Sequence, residues 1–142
     1  MYDDVLVPTD GSDAVTQTID HAIAVATPHD ATVHALAVVD GRLIAAATDG
    51  ARDELTASLE TEAEDAVATV TEQVEAAGLK AVETVRTGTP AREIVDYAEA
   101  AGVDLIAIGT HGKSPREKIA SMGSVSERVV DNSSVPVLVV RT

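Results

Sequence analysis

The amino-acid sequence predicts a single α/β domain, spanning residues 1–142, in which a five-stranded parallel sheet carries helices on both faces. Two observations support this fold class. Five short apolar runs alternate along the chain with segments whose apolar residues repeat at helical spacing, and glycine or proline stands at most of the junctions. In sheets of this type a ligand lies beyond the carboxyl ends of the strands, where the strand order reverses.

The individual elements follow from these periods and from the residues that begin or end helices. Ser12 or Asp13 can cap the first helix and Pro28 closes it, while Thr89 and Pro90 supply the cap and first residue of a later helix. Residues 41–52 show no clear period and are predicted to form a loop. The predicted strands are 5–7, 32–39, 79–86 (at a sheet edge or in a half-exposed position), 103–108 and 135–140, and the predicted helices are 13–27, about 53–77, 90–101 and about 124–132.

The composition is strongly acidic, with a formal net charge of −14 and no cysteine. A charge of this size disfavours nucleic acid and anionic membranes as partners, because most of the surface would repel them. No apolar run approaches the roughly 20 residues of a membrane span and the first residues do not resemble a secretory signal, so a cytoplasmic protein is expected. The acidity is typical of proteins from salt-accumulating halophiles, with an ordinary acidic protein as the alternative.

The segment from Gly109 to Arg128 is the most informative for function. It follows a predicted strand, combines glycines with basic residues, and opens a helix at Gly123-Ser124, an arrangement suited to binding phosphate. A P-loop is excluded because Ala107 stands where that motif needs glycine, and no dinucleotide-type Gly-x-Gly-x-x-Gly follows the first strand. The alternative is purely local, since Ser124 and Glu127 have the spacing of a capping box.

Several stretches together point to a known family. They are Val5-Leu6-Val7-Pro8-Thr9-Asp10-Gly11-Ser12, Ala37-Val38-Val39-Asp40, Gly109-Thr110-His111-Gly112, Gly123-Ser124-Val125-Ser126-Glu127-Arg128-Val129-Val130 and Val135-Pro136-Val137-Leu138-Val139-Val140. Through them the chain resembles the universal stress proteins along essentially its whole length. The resemblance implies a Rossmann-like, adenine nucleotide alpha hydrolase-like fold, often dimeric through the last strand, and in one branch an ATP site built on Gly-x2-Gly-x9-Gly-Ser/Thr.

The resemblance also implies roles for individual residues. The position matching Asp10 holds the ribose, and the position matching Val38 meets adenine through its backbone; for Asp10, a turn or capping role is the alternative. The expected ligand is ATP, with ADP or AMP as variants, and with Mg²⁺ held through the phosphates rather than by protein ligands. Carried over to this chain, the remaining nucleoside contacts are Pro8, Thr9, Ile108 and Gly109, and the phosphate contacts are Gly112, Gly123, Ser124, Val125 and Ser126.

The chain departs from the family's ATP motif at one point. Ten residues, 113–122, separate Gly112 from Gly123 where the motif has nine, and Pro115 lies among them. The leading hypothesis is a cytoplasmic, ATP-binding regulator of the stress response. The alternative is a non-nucleotide dimeric interaction protein of the same fold, whose Gly123-Ser124 helix start binds a simple anion or nothing.

No catalytic constellation is evident in the sequence. His111 can either contact a phosphate or make a structural hydrogen bond, and the other histidines have no metal-ligand spacing. No serine or threonine stands beside an evident base, so catalysis is not expected and slow ATP hydrolysis is left open. The apolar run from Val135 to Val140 predicts an edge strand through which two copies form a homodimer.

Overall fold

The computed structural model describes residues 1–110 and 123–142 and confirms the predicted α/β fold. A short 3-10 turn, Thr27–His29, extends the first helix. The strands are β1 (Asp4–Pro8), β2 (Thr32–Asp40), β3 (Ala81–Gly88), β4 (Leu105–Gly109) and β5 (Val137–Val140). The helices are α1 (Val15–Ala26), α2 (Gly41–Ala46), α3 (Arg52–Ala76), α4 (Pro90–Ala101) and α5 (Ser124–Asn132).

The strands form one parallel sheet in the order β3-β2-β1-β4-β5. β1 lies at the centre, where Leu6 pairs with His34 of β2 on one side and with Ile106 of β4 on the other. The chain proceeds outward from β1 to β3 and then returns to the other side of β1 for β4 and β5. The strand order therefore reverses between β1 and β4, and the crevice at their carboxyl ends is the switch point at which such folds bind ligands.

Helices cover both faces of the sheet because alternate residues of the central strands point to opposite sides. Val5 and Val7 pack in the core that contains α1 and α3, whereas Leu6 packs in the core that contains α4 and α5. All three side chains are fully buried. A strand that is apolar on both faces is typical of a parallel sheet between two helical layers.

Residues 41–46 form helix α2, so the prediction of a loop was wrong for this part of the segment. The Asp40 carboxylate caps the helix by accepting a hydrogen bond from the backbone N–H of Arg42 at 3.0 Å. It also accepts a bond from the Arg42 guanidinium at 2.8 Å, and this side-chain bond lowers the pKa of Asp40. The helix lies on the surface with Leu43 exposed, which explains why it shows no apolar period.

The two edges of the sheet differ in chemistry. β3 lies at one edge, as predicted, and carries the charged residues Glu83 and Arg86. β5 lies at the other edge and consists of valine and leucine only. Charged residues on an edge strand discourage pairing with another chain, so β5 is the less protected edge.

A buried polar network joins β1, β2 and α4 toward the amino-terminal end of the sheet. The Nε2 atom of His34 lies 2.9 Å from a carboxylate oxygen of Asp4, and its Nδ1 atom lies 2.7 Å from the hydroxyl of Tyr97. Thr84 donates a longer bond of 3.5 Å to the same hydroxyl, and the guanidinium of Arg86 lies 5.0 Å above the Tyr97 ring. Every polar atom of the His34 ring therefore has a partner.

Candidate functional site

A cavity of about 300 Å³ lies at the carboxyl ends of the strands, at the switch point between β1 and β4. Residues from both helical layers and from the carboxyl-terminal parts of three strands, β1, β2 and β4, or the loops that follow them, enclose it. A cavity of this size in this place is the expected form of a small-ligand site in an α/β fold. It is lined by Pro8, Thr9, Asp10, Ala14, Val15, Thr18, Leu36, Val38, Pro90, Ile94, Ile108, Gly109, Thr110, Gly123, Val125 and Ser126.

The structure brings most of the predicted site residues to this cavity. Ser124 is an exception, since it is exposed at the start of α5 and does not line the cavity. Gly112 and His111 lie outside the described residues, as does the whole of the segment 113–122. The predicted residues that line the cavity are Pro8, Thr9, Asp10, Val38, Ile108, Gly109, Gly123, Val125 and Ser126.

The turn after β1 is held by hydrogen bonds within itself and to β2. The backbone N–H of Thr9 donates to the carbonyl of Leu36 at 2.8 Å, and its hydroxyl accepts a bond from Gly11 N–H at 3.1 Å. The Asp10 carboxylate accepts a bond from the backbone N–H of Ser12 at 2.9 Å. Asp10 thus makes the turn contact proposed as its alternative role, and its exposed side chain also lies on the cavity wall.

Val38 belongs to β2 and lies beyond the point where β1 stops pairing with β2. The ladder between β1 and β2 ends where Pro8 pairs with Leu36, and the Leu36 carbonyl then accepts the last bond from Thr9. Backbone groups two residues apart on a strand point to the same edge, so the N–H and C=O of Val38 point toward the cavity side, past the last β1 residue. They form a donor and an acceptor side by side at the cavity wall.

Helix α5 begins at the cavity without a side-chain cap. Gly123 is the N-cap residue, and its carbonyl accepts bonds from the Ser126 hydroxyl at 2.9 Å and from the Glu127 backbone N–H at 3.0 Å. The predicted capping box of Ser124 and Glu127 was wrong, because the helix begins one residue earlier than that motif requires. Within the described part of the chain, the first backbone N–H groups of α5, at Ser124, Val125 and Ser126, donate no hydrogen bond.

Two glycines allow the backbone to pass close to its surroundings. A Cβ atom on Gly123 would overlap the backbone carbonyl oxygen of Thr110. A Cβ atom on Gly109 would lie 3.0 Å from the hydroxyl oxygen of Thr18 and 3.4 Å from a methyl carbon of Thr142. Gly123 therefore keeps the start of α5 in contact with the residue that follows β4, and Gly109 lets Thr18 of α1 lie close to the end of β4.

Sequence reasoning missed several residues of the cavity wall. Leu36, Pro90 and Ile94 supply apolar surface, and Thr18 and Thr110 are buried threonines. In the sequence these residues look like ordinary core or helix-start positions, since nothing in their spacing separates a residue that faces a cavity from one that faces a neighbouring side chain. The polarity of Thr18 within an apolar helix stripe was the one available signal.

Comparison with known proteins agrees with the fold and extends over the whole chain. Residues 1–141 match the model of the universal stress protein family. The chain belongs to the universal stress protein family. Universal stress protein MJ0531 of Methanocaldococcus jannaschii is 39% identical over 142 residues, which cover 99% of this chain and 83% of the relative. The resemblance predicted from the motifs is thereby confirmed.

Solved structures support the same family fold. The structure of the protein MJ0577 of Methanocaldococcus jannaschii superimposes on this chain with a TM-score of 0.91 at 36% identity. The match covers 100% of this chain and 97% of the MJ0577 chain. Two universal stress proteins with lower identity were solved with nucleotides. One, at 24% identity and a TM-score of 0.74, is in complex with cAMP. The other, from Archaeoglobus fulgidus at 21% identity and a TM-score of 0.73, is in complex with dAMP. At those identities the likeness establishes the fold alone.

Two further findings concern metals and membranes. Within residues 1–110 and 123–142, no three His, Asp or Glu side chains gather where they could hold a metal ion. Among the helices of the same residues, none is both long enough and apolar enough to cross a membrane.

Proposed function

We propose that this universal stress protein binds ATP, with Mg²⁺ carried on the phosphates, and acts in the cytoplasm as a nucleotide-responsive regulator of the stress response. The observation that carries the proposal is that both apolar side chains and polar groups line the switch-point cavity. Leu36, Ile94 and Ile108 supply apolar surface, and the turn at Asp10 and the start of α5 supply polar groups. A nucleotide likewise combines a flat base with polar phosphates.

The apolar part of the lining suits adenine. Aliphatic walls can enclose the flat faces of a purine, and the adjacent N–H and C=O of Val38 match the acceptor and donor on the edge of the adenine ring. These are backbone groups, which explains how a valine can contribute to a polar contact.

The polar groups of the lining suit a ribose and phosphates. A carboxylate such as that of Asp10 can accept hydrogen bonds from two ribose hydroxyls. The amides at Val125 and Ser126, which have no partner in the part of the chain that the structure describes, and the helix dipole behind them favour phosphate oxygens. The relatives solved with cAMP and dAMP support adenine nucleotides as the ligand class.

The proposal is tested by what the purified protein carries and binds. Protein denatured after purification is expected to release an adenine nucleotide detectable by mass spectrometry, and isothermal titration calorimetry in molar KCl is expected to show binding of ATP with Mg²⁺. Absence of both would overturn the ATP assignment. Binding of phosphate or sulfate without ATP would support the alternative, a dimeric protein that holds only a simple anion at Gly123.

Replacing Asp10 with asparagine is expected to weaken ATP binding by about tenfold, because a charge-assisted hydrogen bond to the ribose becomes a neutral one. Asp13→Asn is the matched control, since Asp13 is exposed in the same loop but does not line the cavity. Calorimetry of both variants in the same buffer measures the effect. Equal affinities for the two variants would exclude a ribose contact by Asp10 and leave its role in the turn.

We further propose that two copies form a homodimer through β5. The carbonyl of Pro136 accepts a bond from Ile106 of β4, and that of Val140 accepts one from Thr110, directly after β4, so the N–H and C=O of Val137 and Val139 point to the free edge of the sheet. An uncharged edge strand whose outward backbone groups face no other strand of the described sheet is suited to pairing with a second copy of itself.

Proline at position 139 is expected to convert the dimer to a monomer. Val139→Pro removes an outward N–H while leaving the bonds between β4 and β5 in place. Glu83→Pro is the control, because its N–H points outward from β3 at the charged edge, and it should leave the dimer intact. Light scattering in molar salt measures the mass of each; a monomeric wild type, or a dimeric Val139→Pro, would contradict the interface.

A further inference from the structure

The hydroxyl of Thr18 is a buried polar group that has no hydrogen-bond partner among residues 1–110 and 123–142. Thr18 lies on α1 with 1% of its surface exposed, and its side chain lines the switch-point cavity. Its oxygen lies over the backbone of Gly109, 3.0 Å from the point where a Cβ atom would stand. No group in the described residues bonds to this hydroxyl. Buried hydroxyls are nearly always paired, so this one calls for an explanation.

Three other helical threonines show the usual local bond, whereas Thr71 of α3 shares the unpaired state of Thr18 among the described residues but does not line the cavity. The hydroxyls of Thr27, Thr61 and Thr69 donate to the carbonyls four residues before them, at 2.7, 3.0 and 3.1 Å. This local bond is the usual solution for a helical threonine. Thr18 does not use it. A valine of nearly the same shape would fill the same space without burying an unpaired hydroxyl, so packing alone does not account for a threonine here.

We infer that the Thr18 hydroxyl binds an oxygen of the sugar–phosphate part of the nucleotide, a contact that rests on the proposed function. A hydroxyl can donate one hydrogen bond and accept two, so it can serve either a sugar hydroxyl or a phosphate oxygen. Helical threonines populate two χ1 wells, so the hydroxyl can change its direction without movement of the helix. Gly109, which has no side chain, lets the ligand approach this point closely.

Thr18 belongs to a different element from the backbone groups proposed to contact the nucleotide. It comes from α1, whereas the backbone at Val38 belongs to β2 and the free amides belong to α5. Thr18 therefore adds a side-chain contact to a site that otherwise relies largely on backbone groups, and it makes the fit of the sugar–phosphate part depend on one hydroxyl.

The test uses three variants of the full chain and calorimetry with ATP and Mg²⁺ in molar KCl. Thr18→Val is expected to bind ATP about tenfold more weakly, and Thr18→Ser, which keeps the hydroxyl, within about threefold of the wild type. Thr71→Val is the matched control, since Thr71 has a buried unpaired hydroxyl on α3 but does not line the cavity. Its affinity should be unchanged. Thermal unfolding without ligand shows that each variant is folded.

Ligand analogues identify the contacted atom. With 2′-deoxy-ATP, 3′-deoxy-ATP and adenosine, the penalty of Thr18→Val should vanish for the one analogue that lacks the contacted oxygen, as in a double-mutant cycle. A penalty that persists for all three analogues, or a Thr18→Val variant that binds ATP as tightly as the wild type, would overturn the inference while leaving nucleotide binding intact. A wild type that binds no ATP would overturn the proposed function and this contact together.

Discussion

Replacing Gly123 with alanine is expected to abolish ATP binding and to lower the free energy of unfolding by about 2–3 kcal/mol. The added Cβ atom would overlap the carbonyl oxygen of Thr110. That oxygen belongs to the backbone, so it cannot rotate away as a flexible side chain could. Backbone strain is not the cause, since Gly123 has φ −68° and ψ 152°, values that any residue adopts.

The clash can be relieved only if the start of α5 separates from the end of β4. That movement would carry Val125 and Ser126 away from the cavity, together with the amides proposed to hold the phosphates. Calorimetry with ATP and urea unfolding measure the two effects. A Gly123→Ala protein that binds ATP with wild-type affinity would show that the contact with Thr110 does not shape the site.

Two other glycines provide controls for this substitution. Gly50→Ala should change neither property, because no atom lies within 4 Å of the new Cβ. Gly78→Ala also meets open space, but Gly78 has φ +82°, so alanine should destabilise the fold by about 1 kcal/mol. ATP affinity of Gly78→Ala should remain that of the wild type. It thus separates a loss of stability from a loss of site geometry.

The sequence was sufficient to predict the fold because the main elements carry strong periodic patterns. The central strands are apolar on both faces and the helices are amphipathic, so their type and order could be assigned. The exception, α2, shows why a pattern can fail: a short surface helix buries little, and its main signal is the Asp40 cap rather than a stripe. The residues of α2 were therefore predicted to be part of a loop.

The candidate site could be predicted where it depends on local motifs and not where it depends on packing. Pro8, Thr9 and Asp10 form one motif, and Gly123 to Ser126 form another. The apolar wall from Leu36 and Ile94 and the hydroxyl of Thr18 come from elements far apart in the sequence, and only the three-dimensional packing brings them to one cavity. The start of α5 at Ser124 was predicted correctly, but the capping-box alternative placed the cap one residue too late, because Ser124, a good capping residue, directly follows the true cap, Gly123.

The second prediction concerns the network of Asp4, His34 and Tyr97. Replacing His34 with leucine is expected to lower the free energy of unfolding by about 2–3 kcal/mol, since the Tyr97 hydroxyl loses its bond of 2.7 Å inside the core. In neutral His34, Nε2–H donates to Asp4 and Nδ1 accepts from Tyr97. Tyr97→Phe leaves that Nδ1 atom unpaired and should cost about 1–2 kcal/mol.

The double variant distinguishes a hydrogen-bonded pair from two independent residues. The double variant removes both the Nδ1 atom of His34 and the hydroxyl of Tyr97, so neither of these two groups is left buried without the other. His34→Leu with Tyr97→Phe should therefore be at least about 1 kcal/mol more stable than the sum of the single effects predicts. His29 and Tyr2 offer a matched control, because their rings also meet edge to face, 5.6 Å apart against 5.7 Å for the buried pair, but His29 is exposed. The same substitutions there should change the free energy of unfolding by less than about 0.5 kcal/mol each. Urea unfolding in molar salt measures the wild type, the three variants at His34 and Tyr97, and the two single control variants. Additive effects at His34 and Tyr97 would mean that their short contact contributes nothing to stability beyond ordinary packing.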